Sequence, residues 1–278
     1  MMKFNNSFWG RTTIWLVMLS ILTATLASCS TNSQHTESSS PKTAIAKHSP
    51  TVPKAVKAVA KNNQETNERT LAKTPKYTYH SENTYVTVPD TWAKLNNNST
   101  AVISGLVTKW DRVSGTTNSA VTKLTVYVNQ VLGGDQKLQG QSIVVVYKGG
   151  YMKFGAYSAG RVKNWDKDKM LSITSDTVIF TEDFYAPLPK INSTIVIPVR
   201  PFEYKGASPE FVEYVKDNHL ETAYSIGAPE YNTWMVEGVK VQNNNPEFQT
   251  TKTRQKQSSD TFSNNLIDLA AELQRRLK

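Results

Sequence analysis

Twelve residues, Val121-Thr-Lys-Leu-Thr-Val-Tyr-Val-Asn-Gln-Val-Leu132, constrain this chain more than any others. Thr122, Leu124, Val126 and Val128 fall on one face at the two-residue period of a strand, and Thr125 and Tyr127 fall on the other. Gly133-Gly134-Asp135 supplies the turn that ends it. Ser142-Ile-Val-Val-Val-Tyr147 follows as a continuous apolar run, the pattern of a strand covered on both faces, and Gly149-Gly150 closes it. Thr100 to Trp110 reads as a further strand with a bend or bulge at Gly105. Shorter strands are expected at Tyr85–Val88, Met170–Thr174, Thr177–Thr181, Thr194–Val199 and Thr233–Val241. Many short strands at close spacing predict a mainly β fold, a small antiparallel barrel or sandwich with one or two short helices.

The helices are legible from their ends. Asp90-Thr-Trp-Ala-Lys-Leu95 reads as one or two helical turns with Trp92 and Leu95 on one face. Ser208-Pro-Glu-Phe-Val-Glu-Tyr-Val-Lys-Asp217 has a capping Ser, a Pro suited to the first helical position and Glu210 at the positive end. Residues 246–278 are expected to hold a loose polar segment and then an amphipathic helix to Lys278. Phe262, Leu266, Leu269, Leu273 and Leu277 form its stripe. That stripe can dock on the domain or meet a partner or a membrane.

The N-terminus has a different character. Lys3 and Arg11 are the only charges before an uncharged apolar run, Thr12 to Leu26, and Ala27 and Ser28 follow. This is the layout of a secretory signal peptide over 1–28. The run is about 15 residues, short of the ~20 that span a bilayer core. The segment Leu26-Ala27-Ser28-Cys29 resembles the lipobox of bacterial lipoproteins. The resemblance implies that Cys29, the one cysteine of the chain, receives a diacylglycerol. Cleavage just before it would leave an extracytoplasmic, membrane-anchored chain. Two acyl chains, each burying ~0.8 kcal/mol per methylene, make a stable anchor. The domain is then without a disulfide and must rest on its apolar core.

Residues 29–76 are polar, lack aromatic side chains and carry eight Lys and Arg against three Glu, a balance of +5. They are expected to form a disordered basic tether with an r.m.s. span of roughly 40 Å. Lys54 to Lys61 can be transiently helical within it. A basic tether beside a membrane suits anionic lipid or an anionic wall polymer, or serves as a solubilising linker. Residues 77–278 are nearly neutral, with 22 Lys and Arg against 20 Asp and Glu. That argues against a nucleic-acid partner.

The β-rich domain is expected over 77–245. Its unit Trp92-Ala-Lys-Leu, Ala101-Val-Ile-Ser-Gly-Leu-Val, Leu124-Thr-Val-Tyr-Val, Ser142-Ile-Val-Val-Val and Gly149-Gly150 is similar to a β-domain of secreted and lipid-anchored Gram-positive proteins. The resemblance implies an OB-like barrel and no particular activity. OB barrels bind oligomeric ligands across one face.

Candidate chemistry is sparse. The four histidines, His35, His48, His80 and His219, show no metal-ligand spacing, so no metal or cofactor is expected. No Gly-x-Ser-x-Gly motif accompanies His219. Asp166, Asp168, Glu182 and Asp183 are the carboxylates available to a hydrolase acting on wall glycan or peptide. Tyr147, Tyr151, Phe154 and Tyr157, with Arg161, form a candidate binding surface, since exposed aromatics stack on sugar rings or anchor a partner. Core packing on a β face is the other reading of the same residues. Phe184, Tyr185, Phe202 and Tyr204, among Pro187, Pro189, Pro198 and Pro201, can rim a cleft. The expected function is therefore a lipid-anchored, non-enzymatic binding or interaction module with a protein or glycan ligand. An extracellular hydrolase is the alternative.

Overall fold

The computed structural model describes residues 51–81, 83, 85, 87–114, 118–159, 173–249 and 261–278. In chain order the elements are α1 (Lys54–Leu71), β1 (Lys76–Tyr79), α2 (Trp92–Asn97), β2 (Ala101–Arg112), β3 (Val121–Gly134), β4 (Ser142–Lys148), β5 (Gly150–Lys153) and α3 (Phe154–Ser158). There follow β6 (Val178–Asp183), β7 (Thr194–Pro201), α4 (Pro209–Asp217), β8 (Tyr224–Ser225), α5 (Pro229–Asn232), β9 (Trp234–Glu237), β10 (Lys240–Asn243) and α6 (Thr261–Arg276).

Five strands close a barrel. β2, β3 and β4 form an antiparallel meander, β4 pairs parallel with β8, β8 pairs with β7, and β7 returns to β2. This order, with one parallel pair at the closure, is that of an OB-like barrel. The hairpin β9–β10 extends the sheet from β7. A separate three-stranded sheet, β1-β6-β5, grows from the Gly149-Gly150 turn after β4.

The alternation in β3 does what its sequence pattern predicts. Leu124, Val126 and Val128 are fully buried inside the barrel with Ile103, Val145, Ile195 and Ile197. The long strand β2 curves by slipping register, one slip falling between Ser104 and Gly105. A Cβ on Gly105 would stand 2.5 Å from Val126 Cγ1, so only glycine lets the two strands approach here. β4 alternates between buried and half-buried positions. Its outward Val144 and Val146 are covered by Phe202, Phe211 and Tyr214, the last two from α4. Ser208 caps α4 as its sequence predicts, its Oγ accepting from the Phe211 amide.

α6 docks. Leu266, Leu269 and Leu273 are buried, and the last two pack with Leu95, Val102, Val196 and Trp234 on the outer face of β2 and β7. The Arg276 guanidinium lies 3.6 Å from the centroid of the Trp92 ring, a cation–π contact.

Four expectations are corrected. Residues 54–71 are not unstructured tether but helix α1, held to the barrel by a narrow stripe. Ala60 is fully buried, Leu71 packs on the barrel core, Asn63 Nδ2 donates to Thr108 O at 2.9 Å and Tyr151 Oη donates to Asn67 Oδ1 at 3.0 Å. A mostly polar helix is stable here because tertiary contacts supply what its composition lacks. Residues 29–50 lie outside the described residues. Tyr85, Thr87 and Val88 are not in a strand. The expected strand at Thr233–Val241 is a hairpin, broken by Gly238 at positive φ. Of the strand expected at Met170–Thr174, positions 170–172 lie outside the described residues and 173–174 are not strand.

Candidate functional site

β8 contributes only two residues to the barrel wall, Tyr224 opposite Val145 and Ser225 opposite Val146. Beyond them the ends of β4 and β7 run on without a strand between. Residues 226–232 leave the sheet there, and a cavity of about 480 Å³ opens between Tyr147 and Lys148 on one side and Pro198 and Val199 on the other. Phe202, Phe211 and Tyr214 add aromatic wall, and Ile226 and Ala186 add aliphatic wall. Ligand sites fall in the range of about 300–1,000 Å³ and carry a few polar groups on an apolar lining.

The polar groups sit together. Glu230, 5% exposed, opens the short helix α5. Its Oε2 accepts from Tyr85 Oη at 2.7 Å and its Oε1 from Asn83 Nδ2 at 3.1 Å. Asp183, 4% exposed, ends β6, and its Oδ1 accepts the amides of Tyr185 at 3.1 Å and Ser81 at 3.3 Å. Burial raises the Tyr85 phenol well above its ordinary value, and the hydrogen bond to Glu230 and the charges of Glu230 and Asp183 add to it. Both carboxylates therefore act on one phenol. Asn232 is fully buried and lines the same cavity. Its Nδ2 donates to Gly227 O at 2.8 Å, while its Oδ1 has no hydrogen-bond partner.

The wall itself is strained. Ala228 holds a left-handed backbone, φ 50° and ψ 66°, at a cost of about 1–2 kcal/mol for a residue with a Cβ. Its carbonyl accepts from the amides of Tyr231 and Asn232, both at 3.0 Å, and the Asn232 side chain clasps Gly227. Such strain clusters at ligand clamps.

No family model, curated protein or solved structure matches this chain. The site is therefore read from its own geometry.

That geometry corrects the aromatic surface. Tyr147, Phe154 and Tyr157 are buried, and Tyr151 is half-buried beside α1. Phe154 and Tyr157 pack with Met152, Ile179 and Tyr77 between α3 and the small sheet. Only Tyr147 of the four reaches the cavity, from inside the barrel, with its hydroxyl donating to Pro187 O at 3.3 Å. Arg161, Asp166 and Asp168 lie outside the described residues. Of the proline-flanked group, Phe202 and Pro198 line the cavity, whereas Phe184 and Tyr185 pack against His80. Asp183 reaches the cavity; Glu182, one residue earlier on the strand, projects from the opposite face. Tyr85, Glu230 and Asn232 were missed. Their only sequence signal is Pro229-Glu230, a helix start, which says nothing of a partner 145 residues away. Among the described residues no group of three or more His, Cys, Asp or Glu is placed to hold a metal ion, and no helix is long and apolar enough to cross a membrane.

Proposed function

We propose that this protein is a lipid-anchored extracytoplasmic binding module that holds a small ligand in the cavity between the ends of β4 and β7, without transforming it. The observation that carries the binding reading is the cavity: an apolar and aromatic lining with the buried Glu230, Asp183 and Asn232 among its polar residues. The anchor reading is supported by the apolar run and by Leu26-Ala27-Ser28-Cys29.

A hydrolase has one observation in its favour, two carboxylates in one cavity. Several features weigh against it. Glu230 is held by Tyr85 and Asn83, one bond to each oxygen, and Asp183 is held through Oδ1 by two backbone amides, so both side chains are fixed parts of the wall. Glu182, the carboxylate next to Asp183 on β6, does not line the cavity.

The test is to isolate the protein from envelope membranes and examine it by native mass spectrometry. A Cβ on Gly227 would meet only Arg200 Cζ, at 4.0 Å, so Gly227→Phe can plug the cavity. A bound adduct on the wild type, lost in Gly227→Phe, supports the binding reading. An adduct retained in the plugged variant refutes it. Cys29→Ser should move the protein from the membrane to the soluble fraction, and continued sedimentation of that variant would refute the anchor.

A further inference from the structure

We infer that the cavity selects a cationic amine with an apolar body, seated by its ammonium against Glu230, Asp183 and Asn232. This deepens the binding function proposed above and rests on it.

Two carboxylates, 4% and 5% exposed, line this cavity without an ion-pair partner among the described residues. The ion pairs among the described residues are Lys94–Asp90, Lys109–Asp111, Lys153–Asp176 and Glu272 with Arg275 and Arg276. None reaches Asp183 or Glu230. Lys148 and Arg200 line the cavity too, but both are exposed and neither is in ion-pair contact with the two acids. Buried charge without a counter-charge is costly, and natural interiors pair it.

Asn232 points to the same ligand independently. Asn232 is among the cavity's lining residues, is fully buried, and its Oδ1 accepts nothing. A buried acceptor left without a donor costs about 1–3 kcal/mol. The neutral donors around the two acids are already engaged, and Lys148 and Arg200 are not in ion-pair contact with them. Tyr85 donates to Glu230, Asn83 to Glu230 and Ser81, Tyr147 to Pro187, and Asn232 Nδ2 to Gly227. What this wall offers is acceptors. A carboxylate oxygen can take two hydrogen bonds, so each oxygen of Glu230 retains room for one more.

An ammonium brings three donors and one positive charge and no acceptor. It answers the uncompensated acids and the orphan amide oxygen together. An alcohol brings one donor and no charge, and a carboxylate brings a third negative charge. The aromatic and aliphatic lining, Phe202, Phe211, Tyr214 and Ile226, then takes an apolar body.

The test uses the full-length protein in detergent and three probes that share one phenylethyl body: 2-phenylethylamine, 2-phenylethanol and 3-phenylpropionate. Binding is read by calorimetry and by the rise in melting temperature. Glu230→Gln, measured in the same micelles, subtracts partition into detergent. The expected order is amine, then alcohol, then acid, with the amine weakened about tenfold or more by Glu230→Gln. If the alcohol or the acid binds as well as the amine, or if Glu230→Gln leaves amine binding unchanged, the cationic class is wrong while the cavity still binds. If none of the three binds, both the class and the cavity's binding role fall. The wild-type series decides by itself should the Gln variant not fold.

Discussion

The hydroxyl of Tyr85 donates a 2.7 Å hydrogen bond to Oε2 of Glu230, joining positions 145 residues apart. One partner lies in an irregular segment before α2 and the other at the first turn of a four-residue helix. The bond therefore fastens the segment around Asn83 and Tyr85 to the far wall of the cavity. Tyr85→Phe should cost about 1.5–3 kcal/mol, the range for a hydrogen bond to a charged group. Urea denaturation measures this, and a loss below about 0.5 kcal/mol would show that the bond does not support the wall.

Glu182 makes stability depend on pH in an unusual direction. Burial raises its carboxyl above the ordinary value, and the nearby Lys76, the Leu188 amide and Lys190 pull it down without prevailing. The folded protein then binds this proton more tightly than the unfolded chain. The associated stability is present below the unfolded value, about 4.3 for Glu, and is lost as pH rises through the raised folded value. Glu182→Gln should melt higher than the wild type at neutral pH, with the gap closing as the medium is acidified. Paired melting curves across that interval check the sign; a variant that melts lower at neutral pH contradicts it.

The C-terminal helix is structural. Leu269 and Leu273 are buried against Leu95, Val102 and Trp234. Leu269→Ala should cost about 2–5 kcal/mol, and removing residues 261–278 should lower the melting temperature further. An unchanged melting temperature after truncation would rule out docking as a source of stability.

Helix α1 can be separated from a tether by two neighbouring residues. Ala60 is fully buried and Val59 is 55% exposed. Ala60→Leu should overpack the contact with the barrel and cost about 1–3 kcal/mol. Val59→Leu should stay within about 0.5 kcal/mol of the wild type. Equal effects in a chemical denaturation series would mean that α1 is not held where it is.

The short-range grammar of the chain carried most of the fold. In β3 the inward set Leu124, Val126 and Val128 is set by a period of two, and no tertiary contact is needed to see it. Ser208 and Pro209 mark the start of α4 in the same way. Gly105 marked the irregularity in β2 because a Cβ there would strike the next strand. α1 was illegible for the opposite reason. Its anchoring stripe is Ala60, Asn63, Asn67 and Leu71, which no hydrophobic pattern reveals, and composition alone argued for unstructured chain.

The aromatic run after β4 shows the same limit for function. Tyr147, Phe154 and Tyr157 have a composition equally suited to a stacking surface or a core. Closure of the barrel buried Tyr147, and the strand pairing β5–β6 with the packing of α3 on it buried Phe154 and Tyr157.

Local sequence by itself determined a mainly β chain and the position of its capped helices. It did so because strand alternation, capping and turn chemistry act between residues a few positions apart. Only the tertiary structure decided where the barrel wall is left open by a two-residue β8, and that Tyr85, Asp183, Glu230 and Asn232 meet there. Those encounters depend on closure of the barrel across more than a hundred residues, and nothing in the chemistry of neighbouring residues encodes such a distance.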